Sequence, residues 1–314
     1  MEKKENRCNF VNIKRLRIMM KYRNILLMLC MMCALMVMGQ VSVTRNKAKK
    51  PTPVQHTPKS QPKNNVNAEK KQEKREQTVP TTQSSNKTFT VNGVSFTMVY
   101  VQGGTFQMGA TSEQESDAGD DEKPSHSVTL SSYYIGETEV TQGLWETVMG
   151  SNPSKFKGAN NSVECVSWDD CKSFISKLNS LTGQRFRLPT EAEWEFAARG
   201  GSKSKHYKYS GSNTLSAVAW YKDNSGGSTH PVKTKSSNEL GLYDMSGNVY
   251  EWCQDWYGGY SSGSQTNPAG PSSGSNRVIR GGCWFIIARF CRVSFRYYST
   301  PDYRSYNLGL RLSL

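Results

Sequence analysis

Two sets of side chains in this chain have the types and spacing for chemistry. The first is sulfur: Cys165, Cys171, Cys253, Cys283 and Cys291 fall in the C-terminal two thirds. Their number is odd, so intrachain disulfides cannot use them all. The second is oxygen. In G-L-Y-D-M-S-G-N-V-Y-E-W, Gly241 to Trp252, Asp244 and Glu251 stand seven apart around a glycine turn. With the carbonyls of Gly247 and Val249 they could supply the hard, flexible oxygen set that suits Ca²⁺. The same carboxylates could instead bond backbone amides in a tight turn.

Other chemistries are poorly supplied. His126, His206 and His230 have no ligand-like spacing. There is no G-x-S-x-G, P-loop or G-x-G-x-x-G. The run E-Q-E-S-D-A-G-D-D-E, Glu113 to Glu122, lacks the glycine and terminal glutamate spacing of an EF-hand. It reads as an exposed acidic loop.

Elements to position these groups are short. Phe96 to Tyr100 alternates as a strand, Gly103 and Gly104 turn the chain, and His126 to Ile135 reads as another half-buried strand. Thr141 caps a helix over Gln142 to Met149. A second helix runs from Trp168 to Leu181, with Phe174, Leu178 and Leu181 at helical spacing. A third begins at Thr190, where T-E-A-E forms a capping box with Glu193. Its three carboxylates read as cap, surface and ion-pair residues, with Trp194 and Phe196 in the core. Beyond Ser210 the chain is mostly Gly, Ser and Asn loops. The 26 glycines and seven tryptophans suit an irregular α+β domain pinned by buried aromatic rings.

Charge divides the chain. Residues 1–88 hold 19 Lys/Arg against 5 Asp/Glu, whereas residues 89–314 hold 21 of each. The basic balance therefore says nothing about the folded domain, and no nucleic-acid partner is expected. Basic residues precede an apolar run from Ile25 to Met38, too short for a membrane span of about 20 residues but suited to an export signal. Left uncleaved, it would tether the chain to a membrane. Residues 1–39 are thus an extension with signal or anchor, and residues 40–88 a polar, basic spacer unable to bury enough surface to order itself. Residues 89–314 form the folded domain. The protein is expected to be exported, either periplasmic, at the cell surface or secreted.

Three motifs carry a family resemblance: Gly241 to Trp252, R-L-P-T-E-A-E-W-E-F-A-A-R-G-G at Arg187 to Gly201, and R-G-G-C-W…A-R-F-C-R-V-S-F-R…G-L-R-L at Arg280 to Leu312. Together they resemble the formylglycine-generating enzyme, or sulfatase-modifying factor, family. The resemblance implies a loop-rich α+β domain of C-type-lectin-like fold, with short antiparallel strands and a few helices. It also implies calcium at Asp244, Gly247, Val249 and Glu251, with Asp244 where an Asn is common. In the family's oxidase two thiolates bind Cu⁺, a soft ion, and the metal activates O₂ to oxidise a peptide cysteine to formylglycine. Cys291 falls on the second of those positions, but Ile286 occupies the first. Cys283, eight residues before Cys291, could serve as partner only if the loop were rebuilt. The alternative expectation is structural: disulfides joining Cys291 to Cys253 and Cys165 to Cys171.

The residues around Cys291 point elsewhere. From Cys283 to Leu314 there is no Lys, Glu, Gln or Met. Phe285, Ile286, Ile287, Phe290, Phe295, Tyr297, Tyr298, Ser299, Thr300, Tyr303, Ser305, Tyr306 and Asn307 are all encodable by codons ending in a pyrimidine. Between them stand residues that look fixed: Trp284, Ala288, Arg289, Cys291, Arg292, Val293, Ser294, Arg296, Pro301, Asp302, Arg304, Leu308, Gly309 and Arg311. Adenine-directed mutagenesis of AAY codons would leave this pattern. It resembles the variable region of diversity-generating retroelement proteins, many of which use a C-type-lectin-like fold. Tyrosine mixed with Ser and Asn is also the composition of a paratope. The sequence thus predicts a protein that binds a protein or glycan ligand through Trp284, Phe285, Ile286, Ile287, Phe290, Phe295, Tyr297, Tyr298, Tyr303, Ser305, Tyr306 and Asn307. An oxidase using Cys291, or an envelope component with a fixed partner surface, are the other readings.

Overall fold

A computed structural model describes residues 85–314. The export signal and most of the spacer expected over residues 40–88 lie outside the described residues; at the spacer's end Lys87 and Thr88 are corrected into a strand, where they pair with Met98 and Thr97. Among the described residues, three small sheets and four α-helices are joined by long loops. In chain order the strands are β1 (Lys87–Val91), β2 (Val94–Val101), β3 (Gly104–Met108), β4 (His126–Leu130), β5 (Tyr133–Gly136), β6 (Tyr250–Trp256), β7 (Gln265–Thr266), β8 (Arg277–Arg280), β9 (Tyr297–Ser299) and β10 (Leu308–Leu310). The helices are α1 (Gln142–Met149), α2 (Trp168–Thr182), α3 (Glu191–Ala198) and α4 (Leu215–Val218).

One sheet is ordered β1-β2-β5, a second β3-β4-β7 and a third β10-β6-β8-β9. The expected strand from His126 to Ile135 is divided: Ser131 and Ser132 turn the chain, and its halves join different sheets. In the third sheet β10 runs parallel to β6, pairing Leu308 with Tyr250 and Leu310 with Trp252. The last residues then extend this seam, since the amides of Tyr134, Gly136, Val140 and Arg187 donate to the carbonyls of Leu314, Leu312, Leu310 and Ser313. The segment between β8 and β10, which carries the pyrimidine-ending pattern, is therefore fastened at both ends to the middle of the domain.

The helices form where their caps and apolar spacing put them. Thr141 accepts from the Leu144 amide and Gly150 closes α1 in the left-handed region. Ser167 and Asp170 make a capping box at the start of α2, and Thr190 and Glu193 make another at α3. Helices α1 and α2 pack together by stacking Trp145 on Phe174, centroids 4.8 Å apart. On α2 the core side is Cys171, Phe174, Ile175 and Leu178. Leu181, expected on that side, is 56% exposed. Its place three residues past Leu178 has rotated beyond the edge of the core. Helix α3 is buried on every side, so the surface role expected for some of its carboxylates is corrected: all three lie inside.

Replacing Leu178 with Ala should cost about 2–5 kcal/mol by leaving a cavity. Leu181→Gln should stay within about 0.5 kcal/mol of wild type. Urea unfolding of the two variants distinguishes the buried from the exposed position.

Candidate functional site

The fixed-looking arginines of the C-terminal segment are inside the protein. Arg280, Arg292 and Arg311 are almost completely buried, and Arg296 nearly so. Each meets a carboxylate from a distant part of the chain. Arg292 makes a bidentate pair with Glu122 at 2.6 and 2.7 Å, and Ser294 adds a hydroxyl donor at 2.6 Å. Arg296 binds both oxygens of Glu191 at 2.5 and 2.7 Å and donates to the carbonyls of Asp121 and Gly258. Arg280 pairs with Glu195 and uses its two terminal nitrogens on the carbonyls of Val293, Ser294 and Phe295, while its buried Nε has no partner. Arg311 holds Glu251 and also binds the carbonyls of Gly136 and Tyr243. A planar guanidinium with five donors can satisfy a carboxylate and two or three carbonyls together. The irregular segment is built on these centres.

The acidic run Glu113 to Glu122 is corrected by the same contacts. Glu122 is buried; burial alone would raise its carboxyl, but the hydrogen bonds and charge of Arg292 hold it below the usual range. Glu113 pairs with Arg199 at 2.7 Å and Asp117 with Lys208 at 2.5 Å. Through Glu122 and the Asp121 carbonyl the run anchors the C-terminal segment, while Ser116 and Asp120 stay exposed as expected. Charge count alone could not show this, because the partners are up to 175 residues away.

The expected calcium set does not fit the ion. Both Glu251 oxygens are occupied, by Arg311 and by the indole Nε1 of Trp194 at 2.6 Å. A guanidinium in the site repels a dication. Asp244 accepts from the Lys233 amide at 2.9 Å through Oδ2, and only its buried Oδ1 has no partner. Asp244 and Asn248 hold positive φ, and Gly247 does so where a Cβ would stand 2.3 Å from the Trp220 carbonyl. The motif is thus a tight turn feeding β6, with Asn248 donating to Glu139 and Ser162. Burial raises Glu139 and pushes Asp244 up to about 6, as expected where carboxylates crowd one guanidinium. Among the described residues no group of three or more His, Cys, Asp or Glu side chains is arranged to hold a metal.

The cysteines correct a second expectation. All five domain cysteines are buried thiols, and neither expected disulfide forms. Cys291 packs with Tyr209, Leu215, Val218 and Ala219, whereas Cys253 lies in the separate core under α3. Cys291 is instead beside Cys283, whose amide donates to its sulfur. Gly282 permits this approach: at φ +78° a Cβ there would stand 2.7 Å from the Cys291 sulfur. Asn307 Nδ2 donates to Cys283 Sγ at 3.4 Å. Burial pushes the Cys283 thiol up to about 12 and raises Cys291 as well. Ile286, at the position where the oxidase has its first cysteine, turns its side chain into the main core. The residues fit the two-thiolate copper set at one position only, since Ile286 stands where the resemblance puts the first sulfur.

The aromatic contact set is narrowed. Ile286, Phe295 and Asn307 are 7%, 8% and 7% exposed, so these three are corrected to core positions. Phe285, Phe290, Tyr297, Tyr303, Ser305 and Tyr306 are half-buried, while Ile287 and Tyr298 are exposed at 45% and 39%. Tyr297 and Tyr298 lie on β9, paired with β8, so this part is an edge strand and not a loop. Trp284 is half-buried; its indole donates to the Tyr306 carbonyl at 3.2 Å. Two residues that sequence reasoning passed over complete this patch. Phe156 meets Trp284 edge to face at 5.4 Å, and Lys155 lies 4.7 Å above the Tyr306 ring. The available signal was a single aromatic ring between two lysines in an otherwise polar loop.

The sulfatase-modifying factor enzyme 1-like domain family matches residues 82–314, so the chain belongs to that family, as its motifs indicated. The formylglycine-generating enzyme of Streptomyces coelicolor is 30% identical over 282 residues, covering 68% of this chain and 87% of that protein. The chaperone protein LppX of Paenibacillus barcinonensis is 35% identical over 252 residues, covering 64% and 83%. Among solved structures, Treponema denticola variable protein 1 superposes with a TM-score of 0.66 at 37% identity, covering 73% of this chain and 98% of that one. The loop-rich α+β fold and both resemblances, to the enzymes and to variable proteins, are thereby shown.

Removing one member of a buried pair should cost more than any exposed contact. Arg292→Met is expected to destabilise by about 3–5 kcal/mol, because Glu122 is left charged and buried; Glu122→Gln in the same chain should recover part of that loss in chemical denaturation. Asp255 gives a pH signature. Burial, with the charges of Glu191 and Glu193, pushes its carboxyl up to about 7. The folded state holds this proton where the unfolded chain has lost it, so its stabilising contribution is complete below about pH 4 and fades as pH rises to about 7. Asp255→Asn should therefore stabilise the protein more at about pH 8 than at about pH 5 in urea titrations.

Proposed function

We propose that this protein is an exported recognition protein that binds a protein or glycan ligand through the outward side chains between Trp284 and Tyr306, and that it does not oxidise cysteine. The observation that carries this reading is how burial divides that segment. Of the residues read as fixed, Cys291, Arg292, Val293, Ser294, Arg296, Leu308, Gly309 and Arg311 are buried, while Trp284, Ala288, Arg289, Pro301, Asp302 and Arg304 are half-buried or exposed. Most of the residues with pyrimidine-ending codons are half-buried or exposed. Diversification of the second set would change the surface and leave the buried ion pairs intact. The likeness to a Treponema denticola variable protein supports the reading. Fold alone does not, because the same scaffold carries an enzyme and a chaperone among the relatives.

The oxidase reading has Cys291 in its favour. Against it stand Ile286 at the first cysteine position, and two thiols whose burial favours the protonated form. An oxidase needs a reactive thiolate open to substrate.

Sequencing the DNA around the gene in several isolates tests the proposal. A near-copy of codons 277–311 beside a reverse transcriptase gene, differing mainly at adenines, is the expected result. An invariant C-terminus with no such copy would overturn diversification and return the fixed-surface and oxidase readings. Cys291→Ser separates those two. A buried hydroxyl in an apolar site should cost about 1–3 kcal/mol, with ligand binding by the folded fraction retained. Formylglycine formation on a cysteine peptide by wild type, abolished in the variant, would establish the oxidase.

A further inference from the structure

The loop from Asn152 to Gly158 stands beside the C-terminal segment without belonging to it. Its sequence, N-P-S-K-F-K-G, has two lysines and no acid. Glu164 fixes it from below: Glu164 Oε1 accepts from the Phe156 amide at 2.8 Å, and Ser154 donates to the Glu164 carbonyl. Asn152 and Gly158 are tied to Gln142 of α1. The Phe156 ring then meets Trp284 at 5.4 Å and Tyr306 at 6.3 Å, both edge to face, while Trp284 contacts Phe285 at 5.3 Å. Lys155, exposed, places its ammonium 4.7 Å over Tyr306 and 5.4 Å over Phe156. Among the described residues it makes no ion pair within salt-bridge distance. Lys157 is also exposed, and its ammonium donates to the Asn152 carbonyl at 2.7 Å.

We infer that Lys155 and Phe156 form a constant wall of the recognition surface, and that this wall takes a partner peptide segment carrying a carboxylate next to an apolar or aromatic side chain. The chemistry follows from the arrangement. An ammonium resting on two ring faces is positioned by weak cation–π attraction and keeps donors for an anion. The half-buried rings beneath it offer an apolar seat, and their ordering has already been supplied by Glu164 and by Trp284. A neutral sugar would use the rings but leave the ammonium uncompensated; an acidic peptide uses both. Lys155 and Phe156 themselves lie outside the diversified codons, so they would supply a common requirement, while Phe285 and Tyr306, on whose ring the ammonium also rests, set the particular fit. This inference rests on the recognition reading and names the class of partner for that surface.

The test uses phage-displayed random dodecapeptides panned on the full-length chain, followed by synthesis of the enriched peptides and binding measurements. Enrichment of Asp or Glu beside aromatic or aliphatic residues is expected. Lys155→Glu and Phe156→Ala should each weaken those peptides about tenfold, Lys155→Arg should retain binding, and exchanging the peptide carboxylate for lysine should restore binding to Lys155→Glu. Lys155 is exposed, so its variants do not threaten the fold. Peptides that lose binding on Tyr306→Ala but tolerate Lys155→Glu and Phe156→Ala would overturn the wall and leave the recognition reading standing. Peptides indifferent to all of these variants would overturn both. Enrichment without acidic residues, or no enrichment at all, overturns the acidic-peptide assignment.

Discussion

The arginine–carboxylate pairs inside the domain are what the rest of the structure depends on. Between β8 and β10 only the three residues of β9 are in a strand, so the backbone has few ladder partners of its own. Its polar groups are satisfied by buried guanidinium groups, which bind carboxylates from the acidic run, from α3 and from β6. Such charges are tolerable only when paired and fully hydrogen-bonded, because each is expensive to remove from water. With both partners present, an irregular segment is held as firmly as a strand would be. That is the physical condition for a surface whose outward side chains can change without loss of the fold.

The same condition explains how the domain's catalytic-looking residues are spent. Glu251 accepts from Arg311 and Trp194. Glu191, Glu193 and Glu195 form one side of the ion-pair system and one helix cap. Cys283 and Cys291 fill space next to a glycine that lets them approach. Family membership supplies the scaffold, and the substitution at Ile286 removes one sulfur from the place where that scaffold does redox chemistry in the oxidase.

Much of the fold was legible. The caps Thr141 and Thr190 name their helices because a side-chain oxygen before an apolar run satisfies amides that the helix leaves open. The apolar spacing of α2 gave Phe174 and Leu178, but Leu181 was misplaced, since periodicity cannot say how wide the buried face is. The break at Ser131 and Ser132 was hidden, because both halves of the run alternate in the same way and only pairing with two different sheets separates them. For the candidate site, the outward positions of Tyr298 and Ile287 followed from composition and codon pattern. Ile286, Phe295 and Asn307 share that pattern and are buried, so pattern alone does not fix direction.

By itself the sequence determined the family, the α+β class, the places where helices begin and the two interleaved residue types near the C-terminus on which the proposed function rests. These are local or pairwise-in-sequence properties, set by backbone propensity, capping and codon chemistry. Only the tertiary structure decided which carboxylate meets which arginine, that the cysteines stay thiols, that Glu122 of the acidic run lies inside, and that Lys155 and Phe156 stand beside Trp284 and Tyr306. Each of these depends on contacts between residues far apart in the chain. Their energies come from burial and charge pairing, which exist only once the chain has closed around them.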